Sequence, residues 1–108
     1  MDKDFKMYAI TFDLDTNCLN DNYHQEKYNN AYLEVRKFLE ANHFTWQQGS
    51  TYFGNDKITA VDCVTVVQKM TVKFPWFGGC VKDIRMLRIE ENNDLMPAIE
   101  QMLDLVKK

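Results

Sequence analysis

Residues 7–15, MYAITFDLD, alternate with a period of two. Tyr8, Ile10, Phe12 and Leu14 fall on one side of an extended chain. Met7, Ala9, Thr11, Asp13 and Asp15 fall on the other. A helix cannot separate residues in this way; a strand must. The first side is large and apolar and needs a helical cover. The second is small or polar and carries both acids. The stretch therefore predicts a first strand in a sheet covered on one face, with Asp13 and Asp15 on the open face.

The rest of the chain supplies the cover. Residues 16–22 are polar and turn-like. A helix then runs to about Asn42, with Tyr28, Tyr32, Val35 and Leu39 at helical spacing and Ala31 and Phe38 widening the stripe. Its start is open between Asn22 with Gln25 as a capping box and Asn29/Asn30. FTWQQGSTYF (44–53) is aromatic and threonine-rich, hence extended, and Gly49 divides it into two strands, 44–48 and 50–53. Residues 59–72 hold valines that favour strand. However, Thr59 and Asp62 have cap spacing, and Ala60, Cys63/Val64, Val67 and Met70/Thr71 repeat helically, so a helix is predicted. FPWFGG (74–79) is a break, 81–90 a strand, and Asp94 caps a last helix with Pro97 in its first turn. Leu95, Ile99, Met102, Leu103 and Val106 form the apolar stripe of that helix. The order β-α-β-β-α-β, then α, predicts an α+β, ferredoxin-like βαββαβ sandwich with an additional C-terminal helix. Residues 1–6 read as an N-terminal extension, and 7–108 as a single domain.

At 108 residues the chain can bury a core without staples. Its three cysteines, Cys18, Cys63 and Cys80, are odd in number and lack C-x-x-C spacing. That pattern fits free thiols and a cytoplasmic location. No stretch nears the roughly 20 apolar residues of a membrane span, and no apolar signal core follows Met1. Net charge is −3, which argues against a dedicated nucleic-acid binder. The charge is uneven, however. Residues 64–88 carry Lys69, Lys73, Lys82, Arg85 and Arg88 against Asp83, whereas 90–104 are purely acidic. Solvated helix faces or a local basic surface both account for this.

A strand ending in D-x-D also opens the haloacid dehalogenase-like phosphatases. Those enzymes place glycine after the second aspartate, where this chain reads DLDTN, and they need a larger doubly wound sheet. That class is excluded on length and element order.

Four separated stretches, MYAITFDLDTNCL, WQQGSTYFG, KFPWF and VKDIRMLRIEENNDL, resemble the virulence-associated protein D (VapD) family. The likeness spans residues 7 to about 98. It implies a ferredoxin-like fold that forms a homodimer through its sheets, similar to the CRISPR-associated ferredoxin-like endonucleases. It further implies an endoribonuclease acting on RNA, a toxin in some members controlled by a small antitoxin protein, and no membrane association. The family's first-strand aspartate falls on Asp13. Its other matching residues are Gln48, Gly49, Ser50 and Tyr52, then Lys82, Asp83, Ile84 and Arg85. Lys82 departs from the arginine of the family pattern, which weakens the case for a planar, bidentate phosphate contact there.

RNA cleavage can use Mg²⁺ held by few carboxylates, or a base that deprotonates the neighbouring 2′-hydroxyl. The chain offers Asp13, Ser50 and Arg85 as catalytic candidates and Asp13 with Asp15 as metal ligands. Tyr52, Lys82 and Arg88 are candidates for substrate binding through phosphate. A two-fold dimer would bring two Asp13 copies together. His43 has the look of a structural residue at a helix end, and His24 lies near the Asp13 loop. Trp76 and Phe77 form an aromatic knot suited to packing. A non-catalytic dimeric binding module is the alternative reading.

Overall fold

Alternation in MYAITFDL becomes strand β1 (Met7–Leu14), with Ile10, Phe12 and Leu14 sealed under helices. The computed structural model describes residues 7–23 and 29–107. The expected extension at 1–6, His24 and Tyr28 lie outside the described residues. The remaining elements are α1 (Thr16–Asn22), α2 (Asn29–Ala41), β2 (Phe44–Gln48), β3 (Thr51–Gly54), α3 (Ala60–Lys73), α4 (Phe77–Cys80), β4 (Val81–Ile89) and α5 (Met96–Val106). The four strands form one antiparallel sheet in the order β2-β3-β1-β4. This is the ferredoxin-like α+β arrangement expected from the sequence.

The helical cover follows from spacing. Ala31, Val35 and Leu39 recur every four residues along α2 and are each fully buried. In α3 the buried residues are Cys63, Val66 and Met70, one face of a helix, while Val61, Val64 and Val72 point to solvent. The valines' strand propensity thus yields to amphipathic packing and to the cap. The Thr59 hydroxyl accepts from the Asp62 N–H (3.1 Å), and the Asp62 carboxylate accepts from the Thr59 N–H (2.9 Å). Such a box stabilises a helix start by about 1 kcal/mol. Phe12 lies against Tyr52 and Phe77, and Phe77 continues into the Phe74–Trp76–Phe77 knot of the same core. Burying each such side chain contributes roughly 1.5–3 kcal/mol.

Four expectations need correction. Residues 16–22 are a helix, because the Asp15 carboxylate caps it by accepting from the N–H groups of Asn17 (2.9 Å) and Cys18 (3.2 Å). FPWFGG is not wholly irregular, since Phe77–Cys80 form one helical turn. Asp94 accepts from the Met96 N–H (2.9 Å) one residue ahead of the α5 cap position, which Leu95 occupies. The cysteines are not all free: Cys18 and Cys80 form a disulfide and only Cys63 remains a thiol. The Asp15 N–H donates to the Cys80 carbonyl (2.8 Å), which holds the start of α1 against the α4–β4 junction and brings the two sulfurs together.

The stripe of α5 is formed but not packed. Leu95, Ile99, Met102, Leu103 and Val106 are all exposed. The open sheet face likewise exposes Leu87.

Candidate active site on the open sheet face

On the β1 face away from the Ile10–Phe12–Leu14 core, Thr11 is half-buried and Asp13 exposed, while Ala9 is covered by its neighbours. Register places Thr51 of β3 and Arg85 of β4 on either side of Thr11. The Thr11 and Thr51 hydroxyls share a hydrogen bond of 3.2 Å. Asp13 lies directly opposite Asp83. Residues paired this way have Cα atoms about 4.5–5.5 Å apart, so the two acids occupy neighbouring positions on one face.

The ladder shifts register here, pairing Asp13 with Asp83 but Leu14 with Val81. Lys82 is the extra residue of this β-bulge. Simple alternation would send its side chain to the helical side, away from Asp13. The bulge re-aims it, and its Nζ stands 3.7 Å from Asp13 Oδ2. The mixed charges along residues 81–90 thus resolve into one polar patch. Arg85 Nε donates to both Asp83 oxygens, at 3.2 and 3.1 Å. That contact raises the guanidinium pKa above its ordinary value. The patch therefore contains two acids and two cations, all solvent-accessible.

Other predicted residues take different places. Ser50 sits in the β2–β3 turn at the same end of the sheet, and its carbonyl accepts from the Phe12 N–H (3.1 Å). Gly49 forms this turn at φ +51°, a conformation that favours glycine. Tyr52 is buried, pairs with Ile10 and stacks on Phe12. It belongs to the helical side, and burial pushes its phenol pKa up, with a hydrogen bond from Arg36 opposing. It does not reach the open face. Arg88 pairs in register with Tyr8, at the far end of β1 and on the helical side, and is bound to Glu90 at 2.8 Å. It does not join Asp13. Asp15 lies beyond the strand and one of its oxygens is engaged by the α1 cap.

Sequence reasoning missed Asp83 as a second acid and Thr11 and Thr51 as its neighbours. The signal was present in part: Asp83 and Arg85 already shared a face by alternation, and pairing β4 against β1 would have added Asp13. Among the described residues no group of three or more His, Cys, Asp or Glu side chains is positioned to hold a metal ion. The Asp13–Asp83 pair does offer the hard oxygen donors that Mg²⁺ takes, one or two carboxylates completed by water.

Residues 6–96 match the family model described as CRISPR associated protein Cas2. The chain is 66% identical over 93 residues to a protein of Riemerella anatipestifer named Endoribonuclease VapD 2, covering 86% of this chain and 99% of that one. It is 58% identical over 97 residues to an Endoribonuclease VapD homolog of Helicobacter pylori, covering 90% and 100%. An Endoribonuclease VapD of Dichelobacter nodosus is 41% identical over 96 residues, covering 87% and 98%. The chain belongs to the VapD family. The Cas2 match and the sheet order agree on the ferredoxin-like fold. The Asp13 patch lies on the exposed part of the sheet face opposite the Ile10–Phe12–Leu14 core.

Proposed function

We propose that this protein is an endoribonuclease whose reacting centre is Asp13, with Asp83 facing it and Lys82 and Arg85 beside it. The observation that carries this reading is the β-bulge at Lys82, which puts a cation against Asp13 on the uncovered sheet face. The names of the relatives support RNA as the substrate class.

The roles follow from the chemistry. A phosphodiester under attack gains negative charge, and Lys82 and Arg85 are the groups that meet it. Ser50, at the same sheet end, donates to a phosphate oxygen. Asp13 and Asp83 are the residues that would hold a Mg²⁺ ion, which would supply Lewis-acid stabilisation of that charge and a more acidic bound water. Asp13 and Asp83 also orient the attacking oxygen. The protein acts as a homodimer joined through its open faces, which the exposed Leu87 and the uncovered α5 stripe support. The family resemblance supports a toxin restrained by a small antitoxin protein, and an RNA substrate supports a cytoplasmic site of action.

The test is direct. RNA is incubated with purified protein in Mg²⁺ or in chelator, beside Asp13→Asn. Cleavage is expected from the unaltered protein with Mg²⁺ and from neither control. Equal cleavage by every preparation would mean contamination and would remove Asp13 from the reaction. Binding without cleavage in every sample would establish the alternative, a non-catalytic dimeric binding module.

A further inference from the structure

A second polar cavity lies far from Asp13. It opens between the α2–β2 turn, the β3–α3 loop and the outer face of α3, with a volume of about 430 Å³. His43, Asn55, Lys57, Thr65 and Lys69 line it, over a floor that includes Phe44, Ile58 and Val66. One acid, Asp62, borders the cavity, and its carboxylate is already used to cap α3. Lys57 and Lys69 make no ion pair among the described residues, and the His43 ring makes no hydrogen bond there. The cavity is therefore lined by two ammonium groups and an imidazole against the Asp62 carboxylate, an excess of positive charge.

Its walls are tied together. His43 holds φ +76°, and its carbonyl accepts from the Asn55 N–H (3.0 Å), which joins the two loops. Gly54 lets the next loop close tightly: a Cβ there would meet the Ile58 Cβ at 2.8 Å. The Asn55 side chain fixes the loop further by accepting from the Lys57 N–H (2.9 Å). A left-handed histidine costs conformational energy, which the surrounding bonds must offset. The result is a cavity with a preformed loop wall, bordered by two exposed lysines.

Position decides the ligand. Phe44 pairs with Gly54, and the adjacent Phe53 pairs with Ala9, four residues before Asp13 on β1. At about 3.3 Å per residue the two ends of the sheet lie more than 13 Å apart. One phosphate group cannot touch both places, but a polymer of phosphates can. We propose that this cavity binds a phosphate of the RNA backbone, several nucleotides from the cleaved bond, and so acts as an exosite. The inference rests on the endoribonuclease reading and adds a substrate-binding position to it. Lys57 and Lys69 supply charge, and Asn55 and Thr65 supply hydrogen bonds to the phosphate oxygens.

Two measurements test it on the full chain, using a Lys57→Ala/Lys69→Ala variant. In the first, inorganic phosphate is titrated while the His43 ring and the amides of 55–57 are followed by NMR. Saturable shifts in the unaltered protein, abolished in the variant, are expected. In the second, single-stranded RNA binding is measured in the Asp13→Asn background at several salt concentrations. The variant should bind all RNA sequences several-fold more weakly. The slope of log K against log salt should fall by roughly 0.7 for each phosphate that the variant no longer neutralises. Absence of saturable phosphate shifts overturns the site. Phosphate binding with RNA affinity and salt slope unchanged overturns the RNA assignment and leaves a pocket for free phosphate. If the unaltered protein cleaves RNA normally in either case, the endoribonuclease reading survives the loss of the exosite.

Discussion

Asp13 and Asp83 are direct cross-strand partners on the open face of the sheet. Like charges in this position destabilise a sheet by up to about 1 kcal/mol. Two neighbouring cations offset this, Lys82 at Asp13 and Arg85 at Asp83. Replacing either acid should thus cost the fold nothing while disabling the site. Asp13→Asn is expected to reduce RNA cleavage by about 10²–10⁴-fold, the usual scale for removing a positioned acid or base. Asp83→Asn should reduce it less. Both variants should unfold within about 0.5 kcal/mol of the parent. Single-turnover cleavage and urea unfolding provide the check; activity retained in Asp13→Asn excludes the assignment.

The bulge at Lys82 makes a separate point. An ion pair this exposed contributes little to stability, about 0–1 kcal/mol. Its value lies in where it puts the charge. Lys82→Met should leave the melting temperature nearly unchanged, weaken RNA binding at low salt and flatten its salt dependence. Lys82→Arg should preserve binding, since a cation at that position suffices. A large loss of stability in Lys82→Met, with RNA binding intact, would show the lysine to be structural.

Local rules made much of this fold legible. The alternation of residues 7–14 fixed which side of β1 is buried, and Thr59 with Asp62 marked the start of α3 against the valines' strand preference. Gly49 marked the β2–β3 reversal. What stayed hidden depends on pairing between distant segments. Asp83 meets Asp13 only through the β1–β4 register, and Cys18 meets Cys80 across 62 residues of chain. Alpha-1 was hidden for a local reason: its asparagines are poor helix formers, and Asp15 reads equally as a turn residue or a cap. Tyr52 was misplaced because its neighbourhood suggested phosphate binding, whereas pairing with Ile10 turns it into the core.

The disulfide lies one helical turn past Asp15 and links α1 to the start of β4, so it braces the two strands that carry the site. Closing a loop of 62 residues stabilises a fold by about 4 kcal/mol in the chain-entropy model. Reduction by a dithiol, or Cys18→Ser, should lower the melting temperature by many degrees. Cys63→Ala should leave the response to reductant intact. Melting in the presence and absence of reductant is the measurement. Identical curves would mean that the cross-link does not form in solution.

Alkaline pH should weaken the fold in a defined window. Burial pushes the Cys63 thiol from 9.0 up to about 11, and burial together with the Glu34 hydrogen bond pushes the Tyr23 phenol from 10.0 up to about 12. Both groups hold their protons more tightly when folded. The stability they supply is complete below the unfolded values and is lost as pH rises through the folded ones. Stability should fall from about pH 9 to 12. Tyr23→Phe should flatten the upper part of this decline. Urea unfolding across that range tests it; a steady rise in stability with pH would contradict the assignment.

Alpha-5 gives the last prediction. Five apolar side chains of its stripe face solvent, and between its first turn and the open face near Thr51 and Phe53 lies a cleft of about 720 Å³. Exposed apolar area of this kind marks an interaction surface. In a homodimer joined through the open faces, each α5 would cover the partner's sheet edge and withdraw its stripe from water. The acids of residues 90–104 would then lie near the cations of β4. Ile99→Glu with Leu103→Glu should convert a dimer to a monomer without unfolding the domain, because neither residue belongs to its core. Light scattering reads the mass and circular dichroism the fold. The monomer should also lose RNA cleavage if the reaction needs both Asp13 copies, and keep it if each Asp13–Asp83 pair works alone. A dimer that survives both substitutions would place the interface away from α5.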